Sequence, residues 1–214
     1  MSWNTTLFML LNASERPSGL LWLVVNVAAI GPVILAPTLL ACLWIWGTPH
    51  RRPALIATAS GVFIGQGVNW LLGLAWYEPR PFMAGIGHTW LAHAPDNGFP
   101  SDHATLGWSL GLGLALTGAS RGWGIAACLA AVIAGWSRVY LGVHFPLDVL
   151  TSAPAGLVAA LAARLLLPAA AWITPPLECL YEAASARLPG WPGKPHRPVH
   201  LPSAPQTQRH DAAQ

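Results

Sequence analysis

Three short clusters carry most of the residues in this sequence that could do chemistry. The first is Glu78-Pro79-Arg80-Pro81 and the second is Phe99-Pro100-Ser101-Asp102-His103. The third is Ser137-Arg138, followed by His144 and Asp148. Arg80 and Arg138 offer planar forks of fixed positive charge suited to phosphate oxygens. Ser101 can donate to the same anion, and a helix starting there adds unpaired backbone N–H groups. His144 and Asp148 stand four residues apart, so at a helical start they share a face. A carboxylate on one imidazole nitrogen orients the ring and leaves the other free to attack. His103 can then protonate a leaving oxygen as general acid. The set comprises a nucleophile, an orienting group, an acid and an anion clamp, and it requires no metal.

Taken singly, each cluster has a plainer explanation. A lone Arg near a helix end can snorkel to a membrane interface. Ser-Asp-His ahead of a helix can be a cap, and His144 with Asp148 can be a structural hydrogen-bonded pair. The chemical reading depends on the clusters meeting, and so on the elements that position them.

Composition says what those elements are. Hydrophobic residues make up 54% of the 214 and charged residues 9%, against about 25% charged in a soluble domain. That leaves too little polar surface to coat a water-facing globule. Twelve Trp and twenty Pro agree, because Trp favours membrane interfaces and Pro is tolerated in spanning helices. An all-α, polytopic membrane bundle of about five to six helices is expected. Five stretches approach the roughly 20 apolar residues a crossing takes: 20–46, 54–76, 104–119, 122–139 and 147–171. The third is short and Gly-rich, which predicts close packing against its neighbours. Pro32 and Pro37 are expected to kink the first, and Trp3–Leu11 to form a short interfacial helix. Residues 1–176 are expected to be one membrane domain. Residues 177–214 are read as a tail, with an amphipathic helix over Glu178–Leu188 and a disordered Pro-rich end from 189. The first thirteen residues hold no Lys or Arg, so no cleavable signal peptide is expected.

The placement of Lys and Arg predicts orientation. Arg51, Arg52, Arg121, Arg164, Arg187, Lys194, Arg197 and Arg209 fall on one side of a five-span topology, and only Arg16, Arg80 and Arg138 on the other. The tail is therefore expected in the cytoplasm, with the three polar clusters together at the outer face. Charges at membrane depth are costly and mark function by default. The net charge of +3 is dispersed, and no nucleic-acid partner is expected.

At these residues the sequence resembles the type 2 phosphatidic-acid phosphatase superfamily. The third motif of that family is complete in Ser137, Arg138, His144 and Asp148. The second reads Pro100-Ser101-Asp102-His103, with Asp for Gly, and the first keeps Arg80-Pro81 but has Gly73 where the family carries Lys. The stretch NWLLGLAWYEPRPFMAGIGHTWLAHAPDNGFPSDHAT, 69–105, is similar to the bacitracin-resistance subfamily of undecaprenyl-diphosphatases. In that subfamily the Glu-Pro-Arg-Pro-Phe and Phe-Pro-Ser-Asp-His segments recur and the Lys is likewise absent. The resemblance implies that His144 forms a phosphohistidine, Asp148 orients it, and His103 protonates the departing lipid phosphate. Arg80, Arg138 and Ser101 would hold the transferred group. The implied reaction converts undecaprenyl diphosphate to the monophosphate for cell-wall synthesis, without a cofactor.

Glu78 and Asp102 bring negative charge beside an anion site. They are expected to pair with Arg80 or Arg138, or to hydrogen-bond His103, with helix capping the alternative for Asp102. His88 and His93 lie in the same outer loop, where most histidines are simply solvated. His196 and His200 have metal-like spacing, but Pro198 interrupts any helix and no metal is assigned. Cys42, Cys128 and Cys179 form no CxxC pair and read as small apolar residues. The rival readings are a phosphatase of phosphatidylglycerol phosphate or lipid A, a lipid phosphotransferase, and a non-enzymatic transporter.

Overall fold

In the computed structural model, residues 2–188 and 191 are described. The tail positions Lys194, His196, Arg197, His200 and Arg209 lie outside these residues, as does the Pro-rich end. Seven α-helices follow in order among the described residues: α1 (Trp3–Leu11), α2 (Gly19–Trp46), α3 (Arg52–Ala75), α4 (Asp102–Leu116), α5 (Arg121–Tyr140), α6 (Pro146–Leu150) and α7 (Ser152–Ser185). A 3-10 turn, Pro49–Arg51, leads into α3. The expected all-α architecture holds.

Local chemistry sets several ends. Ser2 caps α1 by accepting the Thr5 N–H at 3.2 Å, and Ser120 caps α5 by accepting the Trp123 N–H at 3.4 Å. Within α2, Pro32 and Pro37 withhold two backbone donors. Among the described residues, four helical segments are long and apolar enough to cross a membrane: Gly19–Trp46, Pro49–Ala75, Arg121–Tyr140 and Pro146–Ser185. Their outward residues are apolar, with Phe63, Leu165 and Trp172 at 78–85% exposure. Such a surface is stable against lipid and not against water.

The expected third span differs. Its helix covers Asp102–Leu116, 15 residues rather than 104–119, which is about 22 Å of rise against a hydrocarbon core of about 30 Å. It still runs the depth of the bundle, antiparallel to α3. At one end Asp102 meets Asn69 of α3, and at the other Thr117 meets Thr58, 3.0 Å apart. Because α4 is central, one face after another is covered. A Cβ at Gly107 would meet Ala131 of α5 at 2.8 Å, and one at Gly111 the Cys128 nitrogen at 2.7 Å. Between these contacts Leu110 and Leu114 are buried with Ala36, Leu55 and Val62.

The last helix also differs. It continues through Pro168, Pro175 and Pro176 to Ser185, so the expected domain boundary at 176 falls inside α7. A reason is visible in its contacts. Glu178 forms an ion pair with Arg52 at 3.0 Å, and Arg52 lies over the rings of Trp44 and Tyr181 at 4.9 and 5.2 Å. This ties the end of α7 to α2 and α3 at the end of the bundle opposite the polar clusters.

Candidate active site

The long loop between α3 and α4 folds back over the bundle end. Asn12, just past α1, pins it by accepting the His88 N–H at 2.8 Å and donating to the His88 carbonyl at 2.9 Å. The Trp90 N–H donates to the Leu141 carbonyl at 2.9 Å. At Gly142 the chain turns with φ +82, and a Cβ there would collide with the His88 carbonyl. Only glycine allows both the turn and the approach, and this turn delivers His144.

Arg80 is 4% exposed, and protein acceptors surround it. Nε donates to Asp96 Oδ1 at 2.8 Å, Nη2 to the Asn97 carbonyl at 3.1 Å, and Nη1 to the Val143 carbonyl at 3.0 Å. Nη1 also lies 3.0 Å from His144 Nε2. It is 3.4 Å from His144 Nδ1 as well, so the guanidinium lies across both ring nitrogens and does not by itself choose the tautomer. Asp148 Oδ2 faces Nδ1 at 3.3 Å, and an acceptor there favours the ring proton on Nδ1. His144 is 1% and Asp148 0% exposed. Asp148 is held from behind, because Oδ2 accepts the Phe145 N–H at 2.8 Å. Burial, reinforced by Arg138 and Arg80, pushes the His144 pKa well below its usual 6.5. The imidazole is thus neutral, with its lone pair on Nε2.

Arg138 comes from the last turn of α5, with Nη1 donating to the Ala29 carbonyl of α2 at 3.2 Å. Its Nε and the Ser101 hydroxyl are buried without a protein partner, as is Asp148 Oδ1. Arg52 Nε and Ser109 Oγ, elsewhere in the bundle, share that condition. Buried donors left unpaired are costly, and an anion between Ser101 and Arg138 would satisfy both. The Ser101 N–H donates to the Asp148 carbonyl at 3.0 Å, and the Ser152 hydroxyl to the carbonyls of Ser101 and Asp148 at 3.0 and 2.9 Å. The start of α4 is thereby tied to the start of α7. His103, in the first turn of α4, is partly buried and within Coulomb range of Arg138, His93 and Arg80.

The structure therefore brings Arg80, Ser101, His103, Arg138, His144 and Asp148 to one end of the bundle. It does not pair Glu78 or Asp102 as expected. The carboxylate on Arg80 is Asp96, whereas Glu78 Oε2 accepts from Trp76 Nε1 at 3.3 Å. Asp102 Oδ1 accepts from Asn69 Nδ2 at 3.0 Å, and the Thr105 hydroxyl donates to Asn69 Oδ1 at 2.9 Å. Ser101 occupies the N-cap position of α4 without a side-chain capping bond, and Asp102 is the first helical residue. Asn69 absorbs the charge because it is buried beside the helix start, 33 residues away in sequence.

Sequence reasoning missed Asp96, Asn97, Asn69 and Ser152. Asn97 satisfies its whole amide: Oδ1 accepts the Glu78 and Phe99 N–H groups at 3.0 and 3.1 Å, and Nδ2 donates to the Gly73 and Trp76 carbonyls at 2.8 and 2.9 Å. It occupies the space beside Gly73, where a Cβ would lie 3.3 Å from its amide nitrogen. The polar Asp96-Asn97-Gly98 run was the available signal. His93 also enters the site, with its ring centroid 6.3 Å from that of His144. Among the described residues, no group of three His, Cys, Asp or Glu side chains is placed to hold a metal.

This fold and site define a class of protein. Residues 52–172 match the family model of the PAP2 superfamily, and the chain belongs to that family. Among its relatives is YbjG of Escherichia coli, a provisionally assigned undecaprenyl-diphosphatase. That protein is 36% identical over 76% of this chain and 82% of its own length. The undecaprenyl-diphosphatase BcrC of Bacillus subtilis is 34% identical over 56% of this chain and 61% of its own. The bacitracin transport permease protein BcrC of Bacillus licheniformis is 29% identical over 68% of this chain and 70% of its own. The crystal structure of Aquifex aeolicus LpxE shares the fold, with a TM-score of 0.64 at 23% identity over 76% of this chain and 95% of that one.

Proposed function

We propose that this chain is a membrane undecaprenyl-diphosphate phosphatase working through a phosphohistidine on His144. The observation that carries the reading is the buried His144–Asp148 pair, with Nε2 beside Arg80 and two unspent donors on Ser101 and Arg138. His144 Nε2 attacks the terminal phosphorus. The bond from phosphorus to the bridging oxygen breaks, and its electron pair leaves on that oxygen as His103, made cationic by the charge of the bound diphosphate, supplies a proton. The product is undecaprenyl phosphate. His103, now neutral, takes a proton from water, whose oxygen attacks the phosphohistidine and releases inorganic phosphate. Arg80, Arg138 and Ser101 hold the phosphoryl oxygens, and Asp148 holds the imidazole proton while charge develops. The names of the relatives in Escherichia coli and Bacillus subtilis support the substrate.

The site lies at the outer face of a bacterial cytoplasmic membrane and the C-terminus inside, a reading the Lys and Arg asymmetry supports. There the enzyme recycles the carrier lipid for wall synthesis and confers bacitracin resistance. The permease name of one relative raises transport as a second reading. Against it, the titratable cluster stays at one end of the bundle, and the middle of α4 is packed shut by Leu110 and Leu114.

The test is phosphate release from undecaprenyl diphosphate by purified protein, with and without chelator. Release should survive chelation and fall by at least about a thousandfold in His144→Ala. Unchanged release in that variant would remove the nucleophile assignment. Release of phosphate only from another lipid phosphate would move the substrate to one of the rival classes, and transfer to a lipid acceptor in place of water would make the enzyme a phosphotransferase.

A further inference from the structure

We propose that His93 is a specificity residue of this site, its imidazole gripping the lipid-side phosphate of a bound diphosphate. The inference rests on the reading of the chain as a polyprenyl-diphosphate phosphatase. It starts from a charge balance. Attack by His144 requires the terminal phosphate between Nε2, Ser101 and Arg138, at the buried floor of the site. The second phosphate then sits one bridging oxygen further out, towards the loop that covers the bundle end. Arg80 spends three of its five N–H donors on Asp96 and the carbonyls of Asn97 and Val143, and what is left goes to the phosphoryl group being transferred. Position 73, on the adjacent end of α3, is glycine and supplies no cation.

His93 stands where that charge needs an answer. Its ring is edge-on to His144, with centroids 6.3 Å apart and planes at 74°, and its side chain is 21% exposed. Nδ1 lies 3.1 Å from the Ala94 carbonyl and 3.7 Å from Asp96 Oδ1. These acceptors favour a proton on Nδ1 and leave Nε2 as the free edge. Nε2 becomes a donor only when the ring is cationic. The groups facing it are Arg80 and Asp96 from the loop, Arg138 from α5, His144 from the link before α6 and His103 from α4. Burial and the two arginines hold the His93 pKa below 6.5 in the free protein, opposed by Ala94 and Asp96. A diphosphate placed among them reverses that field. Binding therefore takes up a proton at His93, and affinity for the diphosphate weakens as pH rises.

The experiment separates the two phosphate positions. KM and kcat for undecaprenyl diphosphate are measured with wild type, His93→Ala and His93→Gln across pH, alongside inhibition by inorganic phosphate, which needs only the floor of the site. Loss of one charge-assisted hydrogen bond predicts a KM rise of about 10- to 100-fold in His93→Ala. Inhibition by inorganic phosphate should stay within about twofold, because Ser101 and Arg138 are untouched. His93→Gln, a neutral donor, should recover part of the loss and flatten the pH dependence of KM. An unchanged KM, or equal weakening of substrate and inorganic phosphate, would overturn the role. If wild type itself releases no phosphate from undecaprenyl diphosphate, the functional reading has failed first, and that result is seen before any variant is made.

Discussion

His144, the proposed nucleophile, shows how burial can keep an imidazole unprotonated. An exposed imidazole is protonated over much of the acid range, and a protonated ring cannot attack. Here burial, followed by the charges of Arg138 and Arg80, keeps the pKa well below 6.5. The active form is the unprotonated one, so it persists as pH falls through 6.5. The acid-side loss of kcat/KM, which reports the free enzyme, should therefore lie below that value. Measuring kcat/KM from about pH 5 to 8 checks this, and an acid limb centred at or above 6.5 would contradict it. Arg80→Gln removes one of the opposing charges and should move the limb upward while lowering turnover. The same scale explains which partners the carboxylates take. Glu78 and Asp102 were adjacent in sequence to the clamp, but an ion pair follows distance in space. Asp96 reaches Arg80 at 2.8 Å, whereas Trp76 and Asn69 take the other two.

Helix α4 matters as an element because it carries Ser101 and His103 to the site from the middle of the bundle. Its small residues let α5 approach closely, with Gly111 against Cys128 and Gly124. A side chain at 111 has no space to move into, since backbone atoms of α5 line it. Gly111→Val should destabilise the protein by about 1–3 kcal/mol through overpacking, read as a lower Tm in detergent. By contrast, Gly122→Val, where a Cβ meets nothing within 4 Å, should leave Tm nearly unchanged. Equal effects would mean that the α4–α5 approach is not what stabilises the bundle. The Gly-rich pattern had announced close packing. The stretch also read as short in the sequence; the structure moves its bounds to Asp102–Leu116, starting where the covering loop ends.

At the scale of the whole molecule, the two ends of the bundle differ in kind. One gathers the residues proposed to bind phosphate; the other is closed by Arg52, Glu178, Trp44 and Tyr181. The proposed orientation puts the first outside and the second inside. Ala84, exposed in the covering loop, and Cys179, exposed on α7, report on opposite ends. In intact cells a membrane-impermeant maleimide should label Ala84→Cys in a Cys179→Ser background, and should label wild-type Cys179 only after lysis. The reverse pattern would invert the topology and place the chemistry in the cytoplasm.

The sequence alone determined the membrane class, because 9% charge cannot coat a globule in water. It also singled out His144, His103, Asp148, Arg80, Arg138 and Ser101 as the candidate site, and the structure gathers them at one end of the bundle. Helix α1 was legible too, and its residues 3–11 formed as expected. What only the tertiary structure decided were the partners reached across long sequence separations. Asp96 on Arg80 and Asn69 under Asp102 are two of these; His93 beside His144 and Glu178 on Arg52 are the others. The physical reason is common to all four. Side chains held by a local helical register announce themselves by spacing, whereas a buried charge takes whichever partner the packing of distant elements brings within hydrogen-bonding reach.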